Sequence, residues 1–411
     1  MRIVDWLDSV IVRCLMVPCG LRNHRLVASI GVVLVVGLTL YVNVDRISNE
    51  EPPDSVKRCK NLAIYNFGDS NSDTGAVSAA FGRVPYPNGV SFFGKPSGRY
   101  CDGRLIIDFI AEKLGLPYLS AYLDSIGANF KHGADFAASG ATIQHVDGKL
   151  CDSGVNPLSL DVQLLQFEAL KERTTELYGG ATDMEKKQLS RVEEFPKALY
   201  TFDIGQNDIH HALTYSTKDQ ARKSIPELID VFASAIERLY RHGARIFWVH
   251  NTGPIGCLPY LLVKNPPDAG NTDEAGCIKS YNEVAQEFNM QLKTRILDLR
   301  IHLNNSVLVY VDIYSAKYSL ISEATKHGFV DPLGYCCKHI GHTDLHCWSK
   351  ETINGNTIYA TTCTNPSQHI SWDSIHYTEA ANKWVADRIV EGSFSDPPVS
   401  LTNLFQDACA S

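Results

Sequence analysis

Short apolar runs, most of them stopping at a polar residue or a glycine, recur along this chain with helix-length segments between them. That alternation limits the fold more than any other feature. Leu62–Phe67, Ala198–Ile204, Arg245–His250 and Val307–Ile313 read as buried strands. Arg104–Gly115, the stripe from Leu228 to Tyr240 that ends at Gly243, Tyr281–Leu299, and Thr378–Val390 with Gly392 behind it read as helices closed by glycine or a polar stop. The stripe has the spacing of a face packed on a core. Strands that alternate with helices imply a mainly parallel sheet covered on both faces, a three-layer α/β/α fold.

With 411 residues and a formal net charge of -8, the chain has no basic excess, so composition gives no reason to expect a nucleic-acid partner. Residues 26–44 carry no charge and approach the roughly 20 residues that span a bilayer. Arg13, Arg22, His24 and Arg25 precede this run, and Asp45, Glu50 and Glu51 follow it, which places the N-terminus on the cytoplasmic side. The run is longer than a usual signal-peptide core and no Ala-x-Ala-like cleavage site follows, so an uncleaved signal anchor is expected over a cleaved signal. Met16 as an alternative start would give a more ordinary signal. The expected organisation is a basic segment 1–25, the hydrophobic helix 26–44, a Pro-Pro-containing stalk 45–60, a main domain 61–392 and a tail 393–411.

The chemistry points to Asn61–Gly75. An apolar run stops at Gly68, and Ser70 follows where open α/β sheets place their ligands, at a strand's C-terminal end. A helix starting directly after Ser70 would turn its N–H groups toward whatever the serine binds.

Phe67-Gly-Asp-Ser-Asn-Ser-Asp-Thr-Gly75 resembles the first block of the GDSL, or SGNH, serine esterases and lipases, above all their plant branch. Three further stretches match in order. Phe136-Ala-Ala-Ser-Gly-Ala-Thr142 resembles the second block, which implies that Gly140 gives a backbone N–H to an oxyanion hole. Phe202-Asp-Ile-Gly-Gln-Asn-Asp208 resembles the third, which implies the same role for the Asn207 carboxamide. Trp372-Asp-Ser-Ile-His376 resembles the last, with Asp373 and His376 three residues apart and able to face one side of a turn. The resemblance implies Ser70 as nucleophile, His376 as general base and acid, Asp373 as its orienting carboxylate, and the Ser70 N–H as a further oxyanion donor. Thr252–Pro259 also looks like a loop of the plant branch and would shape the pocket wall. The activity implied is hydrolysis of carboxylic esters, acyl or acetyl, on a lipid, a small acylated metabolite or an O-acetylated polysaccharide, with no cofactor. An acyltransferase using the same acyl-enzyme, and an inactive membrane-tethered carbohydrate-binding protein, are the alternatives.

Ten of the 12 cysteines lie beyond residue 44, an even number suited to an oxidising compartment. Cys257 with Cys277, and pairings among Cys336, Cys337, Cys347 and Cys363, are the local candidates. Cys336, Cys337, His339, His342, His346 and Cys347 also have the composition of a zinc site. In an exported chain disulfides are the expected use of these cysteines, and no metal is assigned. Asn304-Asn-Ser306 is a glycosylation sequon. The expected location is the secretory route, ending outside the cell or in the wall, or in the Golgi if the anchor stays.

Overall fold

The computed structural model describes residues 62–146, 156–337, 347, 350–353 and 355–410. The chain divides into Met1–Lys57 and Arg58–Ser411, and the architecture below belongs to the second unit. The basic segment, the hydrophobic run 26–44 and the stalk 45–60 lie outside the described residues, as do Cys59, Cys151, His339, His342 and His346. Among the described residues no helix is long and apolar enough to cross a membrane.

In chain order the elements are β1 (Ile64–Gly68), α1 (Ala76–Ala80), α2 (Val90–Phe93), α3 (Ile106–Lys113), β2 (Gly133–Asp135), α4 (Leu160–Gly180), α5 (Asp183–Lys186), β3 (Leu199–Asp203), α6 (Gln206–Tyr215), α7 (Lys218–Arg241) and β4 (Ile246–His250). There follow α8 (Pro259–Lys264), α9 (Lys279–His302), β5 (Val307–Val311), α10 (Ile313–Ser322), the hairpin β6 (Lys350–Ile353) and β7 (Asn356–Tyr359), α11 (Glu379–Val390), β8 (Ser395–Asp396) and α12 (Leu401–Ala410). The main sheet has the order β2-β1-β3-β4-β5-β8. Its first five strands are parallel, and β8 is an antiparallel edge.

Both faces of this sheet are covered, as the apolar runs require. Successive residues of each central strand enter opposite cores, because side chains alternate across a pleated strand. Tyr65, Phe67, Tyr200, Phe202, Phe247 and Val249 join the core under α4, α7 and α9. Ile64, Leu199, Ile246, Trp248, Val309 and Val311 join the core under α3, α10, α11 and α12. Phe167, fully buried, meets the rings of Tyr65, Phe67, Phe136, Phe195 and Tyr200 at centroid distances of 5.1–6.1 Å. Truncating such a residue to Ala typically costs about 3–5 kcal/mol.

Residues 393–411, read from the sequence as a tail, instead hold β8 and α12. Leu401, Leu404 and Phe405 sit at i, i+3 and i+4, and all three are buried in the second core. Gly392, the prolines at 397 and 398 and the polar residues around them hid that short stripe.

Candidate active site

Three of the four sequence blocks follow the carboxyl ends of adjacent parallel strands, so the topology alone gathers them on one edge of the sheet. β1 leads into Ser70. The peptide of Gly68 is clamped by the buried Gln163 carboxamide, which accepts the Gly68 N–H at 2.9 Å and donates to the Gly68 carbonyl at 2.8 Å. A side chain at residue 68 has no room, since a Cβ there would lie 2.4 Å from Ser72 Oγ and 2.6 Å from the Asp203 carbonyl oxygen. Ser70 itself is 7% exposed. Beyond it the chain makes a tight turn in which the Ser72 and Asp73 N–H groups donate to the Asp69 carbonyl.

No helix begins directly after Ser70. The next one, α1, starts at Ala76, because the Asp73 carboxylate takes the N–H groups of Gly75 (2.7 Å), Ala76 (2.6 Å) and Val77 (3.3 Å). The same carboxylate accepts the Ser139 N–H at 2.8 Å, which ties the serine turn to the second block. Burial raises the Asp73 pKa, and its backbone donors pull the other way. Asp135, at the end of β2, adds another tie by accepting from Asn66 Nδ2 (2.6 Å) and the Thr74 N–H (2.8 Å).

Gly140, half-buried, stands at φ 79°, a left-handed conformation that favours glycine. Asn207 lies in the first turn of α6, and its Nδ2 donates to the Ala141 carbonyl at 2.9 Å. One amide hydrogen is thus fixed on the loop that carries Gly140, and the other is left for a second acceptor. Asp208 holds that loop from the other side, with both carboxylate oxygens accepting the Ile143 N–H at 3.0 Å. Burial pushes the Asp208 carboxyl up to about 6, against the pull of its amide donors.

Asp373 and His376 meet directly. His376 Nδ1 lies 2.7 Å from Asp373 Oδ2, while Asp373 Oδ1 accepts the N–H groups of Ile375 (3.1 Å) and His376 (2.8 Å). Ser374 at φ 77° makes the turn this requires. An ionised Asp373 can only accept, so Nδ1 carries the hydrogen and the basic lone pair of the ring is on Nε2. The loop is closed by the Trp372 N–H to the His376 carbonyl (2.7 Å), and the Trp372 indole N–H donates to Asn88 Oδ1 (2.9 Å). Residues 98–100 touch both the serine turn and the histidine segment. A Cβ on Gly98 would lie 2.8 Å from the Gly75 Cα, and the Tyr100 ring sits 5.4 Å from the His376 ring. Thr252–Pro259 lies beside the same loop, where the Tyr260 N–H donates to the Ser374 carbonyl at 3.1 Å.

The cysteines of the zinc-like cluster are bound as disulfides, Cys336–Cys363 and Cys337–Cys347, and Cys257 pairs with Cys277 as the sequence suggests. Those cysteines therefore supply no thiolate, and among the described residues no group of three His, Cys, Asp or Glu side chains could hold a metal ion. Three site-shaping residues carry no role in the sequence reading. Asp73 and Asp208 stand inside the matched blocks and were visible there. Gln163 lies 95 residues from the glycine it clamps, in a helix with no motif of its own.

The model of the GDSL-like lipase/acylhydrolase family matches residues 64–389. A GDSL esterase/lipase of Arabidopsis thaliana is 49% identical over 347 residues, covering 84% of this chain and 89% of that protein. The GDSL esterase/lipase ACHE of Zea mays is 50% identical over 350 residues, covering 84% and 88%. An Arabidopsis thaliana protein named Alpha-L-fucosidase 3 is 46% identical over 354 residues, covering 84% and 94%. With the fold, the ordered blocks and this extent of likeness together, the chain belongs to the GDSL-like lipase/acylhydrolase family and is an ester hydrolase.

Proposed function

We propose that the chain cleaves carboxylic esters through an acyl-enzyme on Ser70. Ser70 Oγ attacks the ester carbonyl carbon and its proton passes to His376 Nε2. The imidazolium, steadied by Asp373, returns that proton to the departing alkoxide as the C–O bond breaks. A water molecule then repeats the sequence on the acyl-serine, releasing the acid and restoring the hydroxyl. The N–H groups of Ser70 and Gly140 and the second Nδ2 hydrogen of Asn207 would hold the oxyanion of each tetrahedral intermediate, a contribution of about 100- to 1000-fold per donor.

The observation that carries this reading is the 2.7 Å Asp373–His376 contact, in which the carboxylate is locked by two further backbone N–H groups. Ser70→Ala assayed on a short acyl ester is expected to lose about 10⁴- to 10⁶-fold in kcat. It should also lose labelling by a fluorophosphonate, and hydrolysis at the wild-type rate would refute the nucleophile.

The three disulfides among the described residues support passage through an oxidising compartment. On that route an acyl lipid, an acylated metabolite or an O-acetylated polysaccharide is the substrate class. Retention by residues 26–44 would place the enzyme where polysaccharides are built, and cleavage would send it to the wall. The N-terminal residue of the mature protein decides between these two.

A further inference from the structure

A cavity of about 530 Å³ opens between α9, α10 and the loop that follows α8. Its lining includes Tyr314 and Tyr318 of α10, Asp273 and Glu274 of the loop, and Glu283 and Gln286 of α9. The two tyrosine rings are nearly parallel, at 9°, with their centres 6.0 Å apart. The Gln286 carboxamide donates to the Tyr314 hydroxyl at 2.9 Å. The loop is fixed by its own bonds. Asp273 Oδ1 accepts the N–H groups of Ala275 (3.0 Å) and Cys277 (2.9 Å), Oδ2 accepts from the buried Asn282 carboxamide at 3.2 Å, and Cys277 is bonded to Cys257. A concavity whose polar groups are already held in place loses little entropy on binding.

Tyr314 closely follows the carboxyl end of β5, so the cavity lies on the edge of the sheet to which β1 delivers Ser70. In the order β1-β3-β4-β5 three strand spacings separate the two, about 14 Å. One loop connects them. On the cavity side the Gly256 N–H donates to Asn282 Oδ1 at 2.8 Å, and on the other side the Tyr260 N–H donates to the Ser374 carbonyl, in the turn of Asp373 and His376. Only an extended molecule can occupy the cavity and reach Ser70 together.

Each side chain that lines the cavity carries a nitrogen or an oxygen, so an acyl chain would meet no apolar wall. Three acids stand against one lysine, Lys279, a balance that repels carboxylate and phosphate groups. An organic cation, which tyrosines and acids also attract, is opposed by the Lys279 ammonium among them. A neutral sugar uses the whole set. The C–H bonds on one face of a pyranose lie against a tyrosine ring, and the hydroxyls at its rim both donate to carboxylates and accept from carboxamide, ammonium and phenol. We propose that this cavity is a glycan subsite, holding one neutral sugar unit of an O-acetylated polysaccharide while another unit presents its acetyl ester to Ser70. The inference deepens the hydrolytic reading, rests on it for the reacting end, and selects the polysaccharide among the three substrate classes. Binding energy gained at a remote unit favours only substrates long enough to touch both places.

The test compares acetylated β-1,4-linked hexasaccharides of xylose, mannose and glucose with the matching acetylated monosaccharides, on wild type and Tyr318→Ala. Each rate is divided by the fraction of sites that a fluorophosphonate labels, which corrects for unfolded protein. Wild type is expected to favour at least one hexasaccharide over its monosaccharide by about 10-fold or more in kcat/KM. Tyr318→Ala should lose most of that preference, as removal of a central aromatic anchor normally does. Should Tyr318→Ala not fold, Gln286→Ala at an exposed position carries the comparison, with a loss of about fivefold. In parallel, Ser70→Ala is expected to bind the preferred hexasaccharide in its unacetylated form by calorimetry, and Ser70→Ala with Tyr318→Ala to bind it about 10-fold more weakly. Equal kcat/KM for hexasaccharide and monosaccharide with all three sugars, a preference that the variants leave intact, or binding of choline in place of every sugar would overturn the subsite. Hydrolysis by Ser70→Ala at the wild-type rate, with the hexasaccharide still bound through Tyr318, would instead remove the Ser70 reading and leave the subsite standing.

Discussion

Both carboxylate oxygens of Asp208 accept the Ile143 N–H, and Oδ1 also receives the Gln144 N–H at 3.4 Å. A carboxyl held there at about 6 keeps its proton in the native protein over a range where an unfolded chain has already released it. Between about pH 4 and pH 6 the folded state thus binds more protons, so stability from this group is fullest near pH 4 and falls as pH rises through 6. Integrated, the change amounts to about 2–3 kcal/mol. Asp208→Asn removes that part of the slope. Chemical denaturation of the two proteins at pH 4, 5, 6 and 7 should give a stability difference that shrinks in one direction along the series, and parallel curves would show that Asp208 is ionised throughout. The dipeptide Asn207-Asp208 thereby divides its work. One side chain fastens to the Gly140 loop while keeping a hydrogen in reserve, and the other fixes the loop's position.

Unlike the other three blocks, the loop bearing Asp373 and His376 does not follow the carboxyl end of a strand of the main sheet. It hangs on residues 336 and 337, whose N–H groups donate to the carbonyls of Ser371 (3.1 Å) and Trp372 (2.5 Å), and both of those cysteines are disulfide-bonded. Cys336→Ala with Cys363→Ala is expected to cost about 2–5 kcal/mol of stability. It should also lower kcat by about 10-fold at temperatures well below the melting transition, because a loosened loop misplaces the imidazole. A lowered Tm with unchanged kcat would mean that the backbone pairing is sufficient by itself. The strands were legible because β1, β3, β4 and β5 are buried on both faces and so read as unbroken apolar runs. The blocks were legible because each packs its special residues within nine positions. What stayed hidden were partnerships across long separations. Gln163 and Gly68 join segments 95 residues apart, and the local sequence around Gln163 is that of an ordinary helix. The start of α1 was misplaced for a related reason, since Asp73 reads as a turn residue until its four amide donors are seen together.

A parallel sheet gives the whole molecule two unlike edges. Carboxyl ends of β1, β2 and β3 lead to Ser70, Gly140 and Asn207, the edge to which the proposed chemistry is assigned. The turn between α9 and β5 enters β5 at its opposite, amino end. Asn304 stands exposed in that turn, with Asn305 at φ 57° and the Ser306 hydroxyl donating to the Leu303 carbonyl at 2.6 Å. A five-residue strand spans about 16 Å, so a glycan on Asn304 would project away from the catalytic edge with the sheet between them. In secreted protein from a eukaryotic host, Asn304→Gln is expected to remove one glycan, seen as faster migration on denaturing gels. The change should leave kcat/KM for a short acyl ester within about twofold, as surface substitutions remote from a site normally do. A glycan-free variant that folds but loses most of its activity would contradict the separation of edges, because nothing attached at the amino end of β5 could then be remote from Ser70.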